Sequence, residues 1–110
     1  MYEIEEYESE DGKHPFTEWL SSIKDKRTRA RLLIRLDKVR LGNLGDWKNI
    51  EGAKGISEMR EHHGQGYRLF FHFVTQTKLL MLIGSTKKGQ KKAISKAQQY
   101  LADYETRMKS

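Results

Sequence analysis

The sequence predicts an α+β domain: a largely antiparallel sheet of four to five strands, a helical hairpin near the N-terminus and one C-terminal helix. Three observations predict it. Apolar residues recur at helical spacing over two stretches before residue 42 and again after residue 89, with strand-like runs between them. Two of those runs, Ser57–His63 and Tyr67–Phe73, flank a Gly64-Gln65-Gly66 loop. A third, Lys78–Ile83, is almost continuously apolar, as a strand covered on both faces would be.

In chain order, Tyr2–Tyr7 alternates weakly and suits a first strand with its glutamates toward solvent. Asp11-Gly12 marks a turn. His14-Pro15 opens a helix, because proline tolerates the first helical turn, and Phe16, Trp19, Leu20 and Ile23 give that helix an apolar stripe. A second helix spans Lys26–Leu41: Leu32, Leu33, Leu36 and Val39 recur at helical spacing beside a basic row of Arg27, Arg31, Arg35 and Lys38. Gly42-Asn43 stops it. Residues 42–55 read as loops with one short extended piece near Trp47–Ile50. Gly84–Gly89 reads as a loop, and the last helix carries Ile94, Ala97, Leu101, Tyr104 and Met108 on one seam. No linker, repeat or low-complexity tract interrupts the 110 residues, so a single domain over 1–110 is expected.

The net charge is +6, unevenly spread. The first eleven residues hold six carboxylates and no Lys or Arg; the remainder holds 21 basic and 9 acidic side chains, a net of +12. A body this basic favours polyanionic partners, with salt-sensitive affinity. The absence of cysteine excludes disulfides, thiolate chemistry and a thiolate zinc site. His62 and His63 are adjacent, so on a strand they point to opposite faces, and no zinc-like spacing occurs; neither metal nor cofactor is expected. No run suits a membrane span and no signal pattern opens the chain, so a cytoplasmic location is expected.

A three-residue Gly64–Gly66 loop would set His63 opposite Tyr67, His62 opposite Arg68, Arg60 opposite Phe70 and Glu58 opposite His72. One face would then carry Glu58, Arg60, His62, Arg68 and His72; the other, Met59, Leu69, Phe71 and Phe73. Such a polar face suits phosphate. RNA supplies its own nucleophile, the 2′-hydroxyl; cleavage then needs a base, an acid and cations for the transition-state charge. Arginine grips phosphate with a planar fork that stays charged, and histidine or lysine can move protons. Plainer readings stand beside these. Glu58 and Arg68 can form a surface ion pair, Tyr67 can be core packing, and the lysines after Gly84 can serve solubility.

Five segments in this order carry a family resemblance: His14–Leu20, Arg35–Asp46, Gly55–Arg60, Gly64–Phe71, and Gly84 with Lys87 and Gln90. Together they resemble the RelE/ParE toxin superfamily, within it the HigB-like, phage-related addiction module killer branch. The resemblance implies a compact RelE-like sheet with a helical hairpin on one side. It implies a type II toxin that cleaves mRNA on the ribosome without metal, held by a helix-turn-helix antitoxin through which alone it meets operator DNA. ParE-like members act on gyrase instead, so a toxin with a protein target, or a corepressor with its antitoxin, is the rival. Carried over by motif, Arg60, Arg68, Lys87 and Tyr67, with His62 from the hairpin, are the expected catalytic residues. Lys54, Lys88, Gln90 and Lys91 are the expected RNA contacts. Glu61 stands where the family tends to carry an apolar strand residue, which implies an exposed hairpin end.

Overall fold

The computed structural model describes residues 1–109. Its elements run β1 (Glu3–Glu6), α1 (Pro15–Ser22), α2 (Lys26–Arg40), β2 (Trp47–Asn49), β3 (Ser57–Glu61), β4 (Tyr67–Thr75), β5 (Lys78–Thr86) and α3 (Gln90–Met108), with a 3₁₀ turn at Lys87–Gly89. The five strands form one sheet in the order β1-β5-β4-β3-β2. Four consecutive strands pair antiparallel, while β1 lies parallel to β5, so the sheet is mixed at one edge. The two helices between β1 and β2 carry the chain across the sheet, which permits that parallel pairing.

Local chemistry sets the helix ends. Pro15 occupies the first turn of α1 after His14. The Asp25 side chain caps α2, accepting from the Arg27 amide at 3.2 Å and the Thr28 hydroxyl at 2.8 Å. Gly42, at φ 103°, takes the chain out of α2.

The sheet has a core on each face. On one, Phe16, Leu32, Leu36 and Val39 from the helical hairpin pack on Met59, Leu69, Phe71, Leu79 and Met81. On the other, Ala93, Ala97 and Leu101 of α3 pack on Phe70, Leu80 and Leu82, with Tyr7 and Ile56. The polar face expected of the hairpin is therefore shared: Phe70 is fully buried under α3 in the row that carries Arg68. Gly84 makes the opposite face fit, since a Cβ there would lie 2.2 Å from the Trp19 ring.

Two expectations change. Gly84–Gly89 is not one loop; Gly84–Thr86 belong to β5, paired with Leu69, Arg68 and Tyr67. The β3–β4 loop is longer than three residues, running over residues 62–66. Arg60 consequently faces Arg68, Glu58 faces Phe70 and Glu61 faces Tyr67. The offset from the expected register is two residues, and side chains alternate with period two, so the facing of Glu58, Arg60 and Arg68 survives. Of the β1 glutamates, Glu3 is exposed as expected, whereas Glu5 and Glu6 are partly covered. Glu5 meets Lys78 at 3.2 Å, and Glu6 accepts from the amide and hydroxyl of Thr17.

Candidate functional site

The candidate site is built around a buried carboxylate. Glu58, on β3, is 4 % exposed. Arg60 lies two residues on, on the same face, and its Nε donates to Glu58 Oε1 at 3.1 Å. Arg68 comes from β4, directly across from Arg60, and brings its Nε to 3.7 Å from Glu58 Oε2. The same Nε donates to Gln90 Oε1, at the first residue of α3, at 3.3 Å. Lys48 of β2 approaches Glu58 from the other side at 3.9 Å.

The physical logic is mutual. A carboxylate this buried needs charged partners, and two arginines facing each other across a strand pair need an anion between them. Glu58 supplies that anion. Both arginines spend Nε inward, and their terminal guanidinium nitrogens have no hydrogen-bond partner among the described residues. Terminal guanidinium nitrogens are the fork with which an arginine can grip phosphate; the Arg60 side chain is 28 % exposed and that of Arg68 10 %. Because α3 covers β4 and β5, the fork pair stands at the edge of the α3-covered region, beside the start of α3.

Lys87 and Lys88 form the exposed turn that leads into α3, and Lys91 lies exposed in its first turn. The Lys87 amide donates to the Gly66 carbonyl at 3.2 Å, joining this turn to the β3–β4 loop. No acidic residue occupies the first turn of α3 and no side chain caps it. Cations at a helix N-terminus oppose its dipole, so this end favours an anion.

Not every expected residue joins the cluster. Tyr67 points to the opposite face, 7 % exposed, with its ring edge-on to Trp19 at 6.4 Å between centroids. Its hydroxyl, 3.5 Å from Gln65 Nε2, borders a separate groove with Ser22, Asp25 and Thr86. His62 lies outside the ladder, exposed, with Nε2 2.8 Å from Asp46 Oδ2. That hydrogen bond is the main reason the Asp46 carboxyl sits below its ordinary pKa. Lys54 lies in the β2–β3 connection beside Gly55, which packs against Leu101 and His72 at the other end of β3. Among the described residues no group of three His, Asp or Glu side chains is placed to hold a metal.

One supporting residue was hidden in the basic row of α2. Arg35 donates to the carbonyls of Arg60 at 2.8 Å, Leu44 at 3.0 Å and Asp46 at 2.9 Å, and to Glu61 Oε1 at 3.0 Å. The Arg60 amide in turn donates to the Asp46 carbonyl at 2.9 Å. Arg35 thereby fixes the end of β3 that carries Arg60. Glu61 is the other half of this strap: its side chain is 16 % exposed, and Arg31 adds a second contact at 3.6 Å. Glu61 is thus part-buried in an ion pair, while the loop beyond it is exposed at His62, Gly64 and Gln65.

Comparison with known proteins places this geometry. The family model described as phage-derived protein Gp49-like (DUF891) matches residues 18–106. The chain belongs to the Gp49-like family. This is a RelE-like toxin family associated with toxin–antitoxin systems. An uncharacterized protein of Haemophilus influenzae is similar at 35 % identity over 82 residues, 74 % of this chain and 81 % of that protein. The Gp49-like match takes in α2, all of β2 to β5 and most of α3, and so every residue around Glu58.

Proposed function

We propose that this Gp49-like protein is a single-domain, HigB-like toxin of a type II toxin–antitoxin pair, acting in the cytoplasm as a ribosome-dependent mRNA endoribonuclease. One observation supports the reading: Arg60 and Arg68 face each other across β3 and β4, with Nε of Arg60 on Glu58 and Nε of Arg68 on Gln90. A scissile phosphate there would gain charge stabilisation in the transition state from groups already held in place.

The RNA 2′-hydroxyl attacks its neighbouring phosphate, the 5′-oxygen departs, and a cyclic phosphate remains. Glu58 serves as the fixed counter-ion that orients the arginines. Proton transfer falls to Lys87, at the mouth of the α3 turn, with His62 as the second candidate. Lys88 and Lys91 hold the flanking strand, and Gln90 keeps Arg68 in place. Tyr67 acts through packing, since its buried ring lies against Trp19 on the opposite face of the sheet and offers no face for a base. The partner is a helix-turn-helix antitoxin, and operator DNA is reached through it.

Induced expression followed by primer extension on a translated transcript tests the reading. New 5′ ends within the open reading frame are expected, and Arg68→Ala should abolish them. Intact transcripts alongside inhibited DNA supercoiling would instead favour the gyrase-directed rival.

A further inference from the structure

Among the described residues the large apolar side chains left most exposed are Met1, Leu33, Ile34, Leu41, Trp47 and Met108. Three of them belong to α2 and its C-terminal cap: Leu33 at 51 %, Ile34 at 54 % and Leu41 at 76 %. The backbone nitrogen of a fourth, Met1, lies near Gly42, which follows Leu41. Such clustering is unlike the scattered exposure of a monomer surface.

Helical spacing puts Ala30, Ile34 and Leu41 on one line along the outer side of α2, opposite the buried Leu32, Leu36 and Val39. Arg27, Arg31 and Lys38 run beside that line. Together with Ala30, Ile34, Arg35 and Glu61 they border an open groove of about 380 Å³. The helix carries seven basic residues and a single acidic one, Asp37, which is held by Arg40 at 3.0 Å. Arg31 is the outer, more exposed partner of Glu61, so an incoming carboxylate could pair with Arg31 in place of Glu61.

We infer that the outer face of α2 is a docking surface for an amphipathic, acidic helix of a protein partner. Its apolar residues would seat on Ala30, Ile34 and Leu41, and its carboxylates would meet Arg27, Arg31 and Lys38. Both charge and apolarity select this occupant. Nucleic acid would use the cations and leave Ile34 and Leu41 wet, whereas a second copy would set one cationic row against another. The surface lies on the face of the sheet opposite Glu58, Arg60 and Arg68, and the inference stands independently of mRNA cleavage.

Fluorescence anisotropy tests it with a labelled peptide matched to α2 in length, leucines on one face and glutamates along one flank. The full chain should bind it at least about tenfold more tightly than a scrambled peptide. Ile34→Glu with Leu41→Glu should remove that preference, as should Arg27→Glu with Arg31→Glu. All four positions are exposed, and unchanged circular dichroism and melting would verify folding. Arg60→Ala should bind the peptide like the parent, and the apolar double variant should bind a polyuridine oligonucleotide like the parent. Equal binding of the scrambled peptide would overturn the proposal. So would peptide binding indifferent to Ile34 and Leu41, oligonucleotide binding lost with those residues, or self-association of the parent that Ile34→Glu abolishes.

Discussion

Arg60 and Arg68 stand directly opposite each other on β3 and β4, with the buried carboxylate of Glu58 between their Nε atoms. Removing that carboxylate leaves the arginines facing each other without a counter-ion. Glu58→Gln should therefore destabilise the fold by about 3 kcal/mol, near the lower end for breaking a buried pair, since Arg60 and Lys48 remain partly solvated. Urea unfolding measures it. The same variant should lose RNA cleavage, because both forks lose their anchor.

Arg35 should matter as much to stability as any core residue, although it sits in a row of surface cations. Arg35→Ala leaves the carbonyls of Arg60, Leu44 and Asp46 and the Glu61 carboxylate without this donor. A loss of about 3 kcal/mol in urea unfolding is expected. Arg35→Lys should recover little of it, because a single ammonium cannot span those acceptors.

Gly84 should tolerate no side chain. Gly84→Ala drives a methyl into the Trp19 ring, and thermal unfolding should show a loss of about 2 kcal/mol or more. Pairing it with Trp19→Leu should restore part of the loss, a coupling that a purely conformational effect of the glycine would not show.

Stability should fall at high pH through Tyr7. Its hydroxyl donates to Asp103 Oδ2 at 2.6 Å and its ring stacks on Tyr100 at 4.8 Å between centroids. Burial, then the Asp103 hydrogen bond and charge, raise its pKa from 10.0 to about 12, against an opposing effect of Arg107. Between these values the unfolded chain has lost the phenolic proton and the folded chain keeps it. The tyrosine's contribution is thus complete below pH 10 and lost as pH rises toward 12. Tyr7→Phe should be less stable at neutral pH by about 1 kcal/mol and should show a shallower alkaline decline in denaturant midpoint.

What could be read from the chain divides along physical lines. The helices, the apolar run of β5 and the common facing of Glu58, Arg60 and Arg68 follow from periodicity, which tolerates a register offset of two. The loop length did not follow. Gly64 and Gly66 both take positive φ, at 60° and 84°, and the turn they make begins at His63, whose carbonyl accepts from the Gly66 amide. His62 and His63 therefore leave the ladder. Arg35 could not be distinguished from Arg27 or Arg31 by sequence, because its acceptors are carbonyls of residues 9 to 25 positions away. Tyr67 shares its strand with Arg68 but neighbours on a strand face opposite ways, so its placement beside Trp19 was implicit in the same alternation that paired the arginines.

The proposed RNA cleavage depends on the two guanidinium groups, and one substitution tests that dependence most directly. Arg68→Lys keeps the positive charge but removes the Nε anchored at Glu58 and Gln90 and the fork it orients. Cleavage of a translated mRNA by the purified protein on ribosomes, followed by primer extension, should slow about 10²-fold or more in this variant. Cleavage at the parental rate, with the protein folded, would contradict the assignment of this face to RNA phosphate.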